Sequence, residues 1–150
     1  MQAHRELGIV TGAASGIRKA VVERMRNAAV EVLAVDRDPA ALGKMQEPGI
    51  RTLVADLATV EGRDDVVARS DGCRYLVNSA GVSPLGAIFA VTIQDLRDIY
   101  AVNMEAIWDL TSRIGSAMTA GGAIVNLGSS TAKLATTTEG AAYAEVALPQ

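Results

Sequence analysis

Apolar residues along this chain alternate between two patterns. Short unbroken runs at Leu7 to Thr11, Val30 to Val35, Ile50 to Ala55, Cys73 to Val77 and Ala123 to Leu127 predict strands that are apolar on both faces. Between them the spacing becomes helical. Ile17 to Ala29 places Ile17, Ala20, Val21 and Met25 on one face. Pro39 to Met45 suits a short helix, with Asp38 as N-cap and Pro39 in the first helical position. Val60 to Arg69 reads as a polar, amphipathic helix. Thr92 to Met118 is the longest helical pattern, with Ile93, Leu96, Ile99, Tyr100, Ile107, Leu110 and Ile114 as its apolar set, and Gly121-Gly122 ends it. Strands of this kind alternating with helices predict an α/β fold: a doubly wound parallel sheet of about five strands covered on both sides. In such a sheet, ligands sit at the carboxyl ends of the strands, where the strand order reverses.

Composition narrows the function. Hydrophobic residues make up 49% of the chain and aromatic ones only 3%, so the core is built from Ala, Val, Leu and Ile. The net charge of −3 argues against a nucleic-acid partner, which needs clustered cations. The one basic cluster, Arg18, Lys19, Arg24 and Arg26, falls within a single helix and reads as a solvated face, with phosphate contact as the alternative. One cysteine, Cys73, opens an apolar run and reads as a buried structural thiol; it permits neither an internal disulfide nor a cysteine metal cluster. No metal site is expected. The only histidine, His4, precedes the first strand, so a Ser-His-Asp triad has no raw material. No apolar run reaches the length of a membrane span, and the N-terminus lacks a signal-peptide pattern. A cytoplasmic location is the expectation.

The first strand runs into Thr11-Gly12-Ala13-Ala14-Ser15-Gly16-Ile17-Arg18, and the first helix follows. Gly12 permits a tight turn, and Gly16 lets the backbone approach a pyrophosphate. The helix start turns free N–H groups and a positive dipole end towards the phosphates. A P-loop is excluded, because Ile17-Arg18-Lys19 stands where Gly-Lys-Ser/Thr would be needed. Asp36 ends the second strand, where an acid accepts hydrogen bonds from an adenosine ribose and repels a 2′-phosphate. The cofactor expected is NAD, with NADP second; Arg37, directly after the acid, softens that preference.

In order and spacing, Thr11 to Ile17, Asp36, Asp56-Leu57, Asn78-Ser79-Ala80-Gly81, Asn103, Ser129/Ser130 and Tyr143 resemble the short-chain dehydrogenase/reductase family over nearly the whole chain. The resemblance implies a Rossmann-type sheet of order 3-2-1-4-5 and NAD-dependent hydride transfer between an alcohol and a carbonyl. Within it, Gly12, Ser15, Gly16, Ile17, Asp36 and Arg37 belong to the cofactor site. Asp56 meets the adenine amino group with Leu57 beside it. Asn78, Ala80 and Gly81 support the central strand and pass beside the cofactor. Asn103 anchors a water in a proton relay, a serine after the fifth strand holds the substrate oxygen, and Tyr143 is the general acid/base. Counting forward from Asn126 indicates Ser129 for that serine; counting back from Tyr143 indicates Ser130.

Three departures accompany the likeness. Arg18 replaces the third glycine of the turn, where a long side chain either crowds the helix–strand contact and the cofactor or swings out to the pyrophosphate. Ala147 stands where the family has lysine. The chain is also shorter than the family pattern, so residues 1–150 are expected to form one dinucleotide-binding domain without the C-terminal substrate-binding portion. Activity is in doubt on these grounds; the alternatives are a non-catalytic dinucleotide-binding module and a truncated or altered fragment. The short C-terminus leaves the fifth strand at an edge, which leads to an expectation of self-association. Without an ammonium to favour its ionised form, a tyrosine keeps an ordinary high pKa. Turnover of an alcohol/carbonyl pair by purified chain is therefore expected to fall about 10²–10⁴-fold below that of family members with the lysine, as measured by steady-state kinetics.

Overall fold

The computed structural model describes residues 6–14, 16–83, 90–118 and 121–129. Five parallel strands form one sheet: β1 (Leu7–Thr11), β2 (Glu31–Asp36), β3 (Ile50–Val54), β4 (Cys73–Asn78) and β5 (Ala123–Asn126). Their spatial order is β3-β2-β1-β4-β5, the expected doubly wound arrangement, with its reversal between β1 and β4. The helices are α1 (Gly16–Asn27), α2 (Pro39–Gly43), α3 (Val60–Val67), α4 (Ile93–Tyr100) and α5 (Ala106–Gly115); a π-helical turn, Ala101–Glu105, joins the last two.

Alternation along each strand explains the two cores. Ile9, Leu33, Val35 and Leu76 point to one side, where they meet Val66, Ala106, Leu110 and Ile114 of α3, the π turn's exit and α5. Val10, Val32, Ala34 and Val77 point to the other, against Val22 of α1, Leu42 of α2 and Met45. The strands are apolar on both faces because both faces are covered.

Local chemistry starts and stops the helices. Asp38 caps α2 by accepting Ala40 and Ala41 N–H groups, with Pro39 just inside, as expected. Thr92 and Asp95 form a reciprocal capping box at the start of α4, and these bonds hold the Asp95 carboxyl below its ordinary pKa. The buried guanidinium of Arg63 in α3 donates to Asp109 of α5 at 2.9 Å and to the Leu57 carbonyl at 3.0 Å, fastening these helices together.

Two expectations about helices are corrected. Of the expected inner face of α1, Val21 and Met25 do pack against the core, but Ile17 is 76% exposed and Ala20 is also exposed, and the fully buried residue is Val22. One residue of phase separates the two readings, and only contact with β1 and β2 selects between them. The long pattern from Thr92 to Met118 is not one regular helix. It contains the π turn, which rotates the face presented to the sheet, so that Ile93 and Tyr100 are exposed while Ile99, Leu110 and Ile114 are buried. The basic cluster also divides. Lys19 and Arg24 are exposed, Arg26 pairs with Glu47, and Arg18 turns elsewhere.

Cys73 is free and buried, and burial pushes its thiol pKa up. No helix among the described residues is long and apolar enough to cross a membrane. No group of three His, Cys, Asp or Glu among them can hold a metal. Gly62 packs the start of α3 directly onto the end of β3, for a Cβ there would lie 2.0 Å from the Asp56 carbonyl oxygen. Gly62→Ala is therefore expected to destabilise the chain by about 1–3 kcal/mol, read as a lowered thermal midpoint.

Candidate functional site

The turn after β1 is held from both sides. Gly12 has a positive φ of 64°, and a Cβ there would sit 2.7 Å from Ala80 Cα. The turn therefore lies against the segment following β4 with no room for a side chain. The buried hydroxyl of Thr11 accepts the Ser79 and Ala80 N–H groups, each at 3.0 Å, and donates to the Val77 carbonyl at 3.4 Å. On the other side, Ala13 N–H donates to the Val35 carbonyl at 3.0 Å. The half-buried Asp36 carboxylate receives Ala14 N–H at 3.0 Å on one oxygen and Asp38 N–H at 3.1 Å on the other. Each carboxylate oxygen has two acceptor positions, so Asp36 retains capacity for further donors. Gly16 opens α1 with open space above it.

Amide side chains fix the opposite wall. Asn78, fully buried at the end of β4, donates to Thr111 Oγ1 of α5 at 3.0 Å and to Asn126 Oδ1 of β5 at 2.9 Å. Its carbonyl accepts Leu127 N–H. Asn103, buried in the π turn, accepts Val82 N–H through Oδ1 and donates to the Val82 carbonyl through Nδ2, both at 2.9 Å. That reciprocal pair places the chain after Gly81 against the kinked helix. Asp56 is exposed beyond β3 and its Oδ1 accepts Ala58 N–H at 3.0 Å, while Leu57 beside it is buried.

Between these walls lies a recess of about 200 Å³, with Gly12, Asp36, Asp56, Leu57, Ala80 and Gly81 in its lining. Arg37 lines both this recess and an adjoining one of about 550 Å³, which extends to Asp95 and Asp98. Together they form a crevice of the size that small-molecule sites occupy. Eight of the residues singled out from sequence meet here: the six just named, Arg37 and Arg18. Asn78 lies beneath the crevice as a brace. Ile17 faces solvent, away from it. Ser129 is half-buried and has a partner, but it does not line either recess. Ser15, Ser130, Tyr143 and Ala147 lie outside the described residues. Sequence reasoning passed over Thr11, Val82 and Val102. Thr11 carried a signal, a hydroxyl immediately before the glycine turn; Val82 and Val102 carried none, being ordinary valines brought to the crevice by tertiary packing.

The model of the short chain dehydrogenase family matches residues 7–145 of this sequence. The chain belongs to that family. The chain is 34% identical over 142 residues to D-threitol dehydrogenase of Mycolicibacterium smegmatis, covering 87% of the chain and 55% of that protein. It is 31% identical over 126 residues to L-xylulose reductase of Bos taurus, covering 81% of the chain and 52% of the relative. Among solved structures, one from Beutenbergia cavernae, named for NAD(P)-dependent gluconate 5-dehydrogenase and holding NADP at low occupancy, is 30% identical. It aligns with a TM-score of 0.84 over 97% of the chain and 62% of its own. The chain thus spans about half the length of the curated relatives it matches. Members of this family are oxidoreductases that bind a nicotinamide dinucleotide and act on small alcohols or carbonyls.

The Thr11 bonds yield a stability test. Thr11→Val keeps the shape but leaves the Ser79 and Ala80 N–H groups without their acceptor. It is expected to cost about 2 kcal/mol in chemical denaturation, whereas Thr11→Ser retains most of the stability.

Proposed function

We propose that this short-chain dehydrogenase holds NAD, in preference to NADP, along the crevice and belongs to an enzyme that interconverts a polyol alcohol and a keto-sugar carbonyl. The observation that carries this reading is the Asp36 carboxylate. It stands at the tip of β2 on the crevice lining, held by the glycine turn's own Ala14 N–H, with acceptor positions to spare. A ribose with both hydroxyls free donates to such a group; a 2′-phosphate meets like charge. The crevice fits a dinucleotide in shape: Gly12 and Gly81 leave its floor free of side chains, and Leu57 supplies an apolar surface beside Asp56 for a base. When bound, the nicotinamide supplies or accepts the hydride. The chain's own residues bind and orient. Asp36 takes the ribose, Asp56 accepts from the adenine amino group, and Thr11 and Asn78 keep the two walls in register.

Asn103 acts here as a positioning residue, since its carboxamide is committed to Val82 at both ends. Substrate polarisation falls to Ser129 or Ser130, and proton transfer to Tyr143. The polyol and keto-sugar class is supported by the names of the relatives, D-threitol dehydrogenase and L-xylulose reductase. A non-catalytic dinucleotide-binding module is the second reading, and Ala147 in place of lysine favours it. Exposed Trp108, Val125 and Leu127 support self-association, and light scattering is expected to show a species larger than a monomer.

Calorimetric titration tests the cofactor. NAD is expected to bind at least about tenfold more tightly than NADP, and Asp36→Ala to erase that difference. Absence of binding by either dinucleotide overturns the proposal. Turnover of a tetritol or pentulose with NAD then separates enzyme from module: activity gained on Ala147→Lys supports the enzyme, and binding with no turnover in either form supports the module.

A further inference from the structure

Arg18 occupies the position of a third turn glycine, yet its side chain does not wedge between α1 and β1. It is half-buried and runs along the crevice. Its Cδ lies 3.3 Å from the point a Cβ on Gly12 would take, and its Nη2 lies 3.9 Å from the corresponding point on Gly81. Gly12 and the Ala80–Gly81 segment are in contact and together form the floor of the crevice there. The side chain therefore lies across this floor, directly above backbone that carries no side chain.

Resting on the dinucleotide reading above, we propose that Arg18 is a phosphate-recognition residue, its guanidinium clamping the pyrophosphate above the floor formed by Gly12 and Gly81. The charge distribution makes such a cation necessary. Asp36 and Asp56 line the nearer recess, and Asp95 and Asp98 the farther one, with Arg18 and Arg37 as the cations on the lining. Arg37 follows the ribose-side acid at the end of β2, leaving Arg18 as the cation at the glycine turn. A diphosphate crossing a cleft with four carboxylates on its lining is repelled unless a positive group meets it locally. The start of α1 adds its dipole, and no acidic residue in its first turn opposes it. A guanidinium suits the task better than an ammonium because its planar fork engages two phosphate oxygens at once. Arg18 has a partner within the chain, so a phosphate exchanges contacts with a side chain that is already held.

A side chain in the same place that merely obstructs the cleft would have the opposite consequence, and this makes the proposal testable. The full chain and its Arg18→Met, Arg18→Lys and Arg18→Gly variants are titrated calorimetrically with ADP and with adenosine, after circular dichroism has shown that each variant is folded. For ADP, Arg18→Met is expected to weaken binding about tenfold or more and to flatten its salt dependence, with Arg18→Lys recovering part of the loss; adenosine binding stays within about twofold throughout. ADP binding by Arg18→Met or Arg18→Gly as tight as, or tighter than, that of the unaltered chain overturns the clamp and leaves the dinucleotide reading standing. Failure of ADP and adenosine to bind both the unaltered chain and the Arg18→Gly variant overturns the dinucleotide reading itself, and the clamp with it.

Discussion

One buried hydroxyl sets the dimensions of everything above the sheet. Thr11 ends β1, and its Oγ1 receives two successive N–H groups from the segment that leaves β4. Backbone donors emerging from adjacent parallel strands have no ladder partner once the strands end, and burying them without an acceptor costs free energy. The hydroxyl satisfies both and thereby fixes the separation of the two chains. At that separation a side chain on Gly12 has no space, because Ala80 already occupies it. The narrowness of the cleft, the need for glycine and the reach available to Arg18 all follow from that one separation.

Parallel logic governs the far wall. Asn78 and Asn126 stand opposite each other in register on β4 and β5, and the amide of the first also reaches Thr111 on the covering helix. Asn103 closes a two-bond ring with the backbone of Val82. The amides of Asn78 and Asn103 are buried and paired, so they rigidify the region instead of weakening it. The π turn serves the same end. A regular α-helix from Ile93 to Gly115 would drift in phase; the π turn lets Ile99 before it and Val102 within it face inwards while Ala106, Leu110 and Ile114 face the sheet after it.

Electrostatics then sorts what the cleft accepts. Acids gather at the strand tips because their carboxylates tie down backbone N–H groups, Asp36 in the glycine turn and its own following loop and Asp56 in the loop after β3, a structural duty that also leaves acceptors facing the cleft. A cleft built this way attracts hydroxyl and amino donors and disfavours anions. Any anionic ligand needs local compensation, and Arg18, absent from the family's glycine pattern, is placed where compensation counts most.

The alternation of apolar runs determined the class of fold and the number of strands, since strands that are apolar on both faces must be covered by helices on both sides; the strand order followed only from the family resemblance. Glycine at position 12 and an acid at position 36 marked the crevice, because a tight turn and a strand-tip acid are local requirements with few substitutes. Tertiary structure alone decided the rest. It chose Val22 over Ile17 as the core residue of α1, since helical spacing permits either phase and only the surface of β1 and β2 distinguishes them. It inserted the π turn, whose cause is packing against the sheet and the bonds of Asn103 to a residue 21 positions away. It sent Arg18 along the cleft while Lys19 and Arg24 went to solvent, because a side chain's direction depends on which neighbouring surfaces lie within its reach, and nothing in a one-dimensional pattern records that.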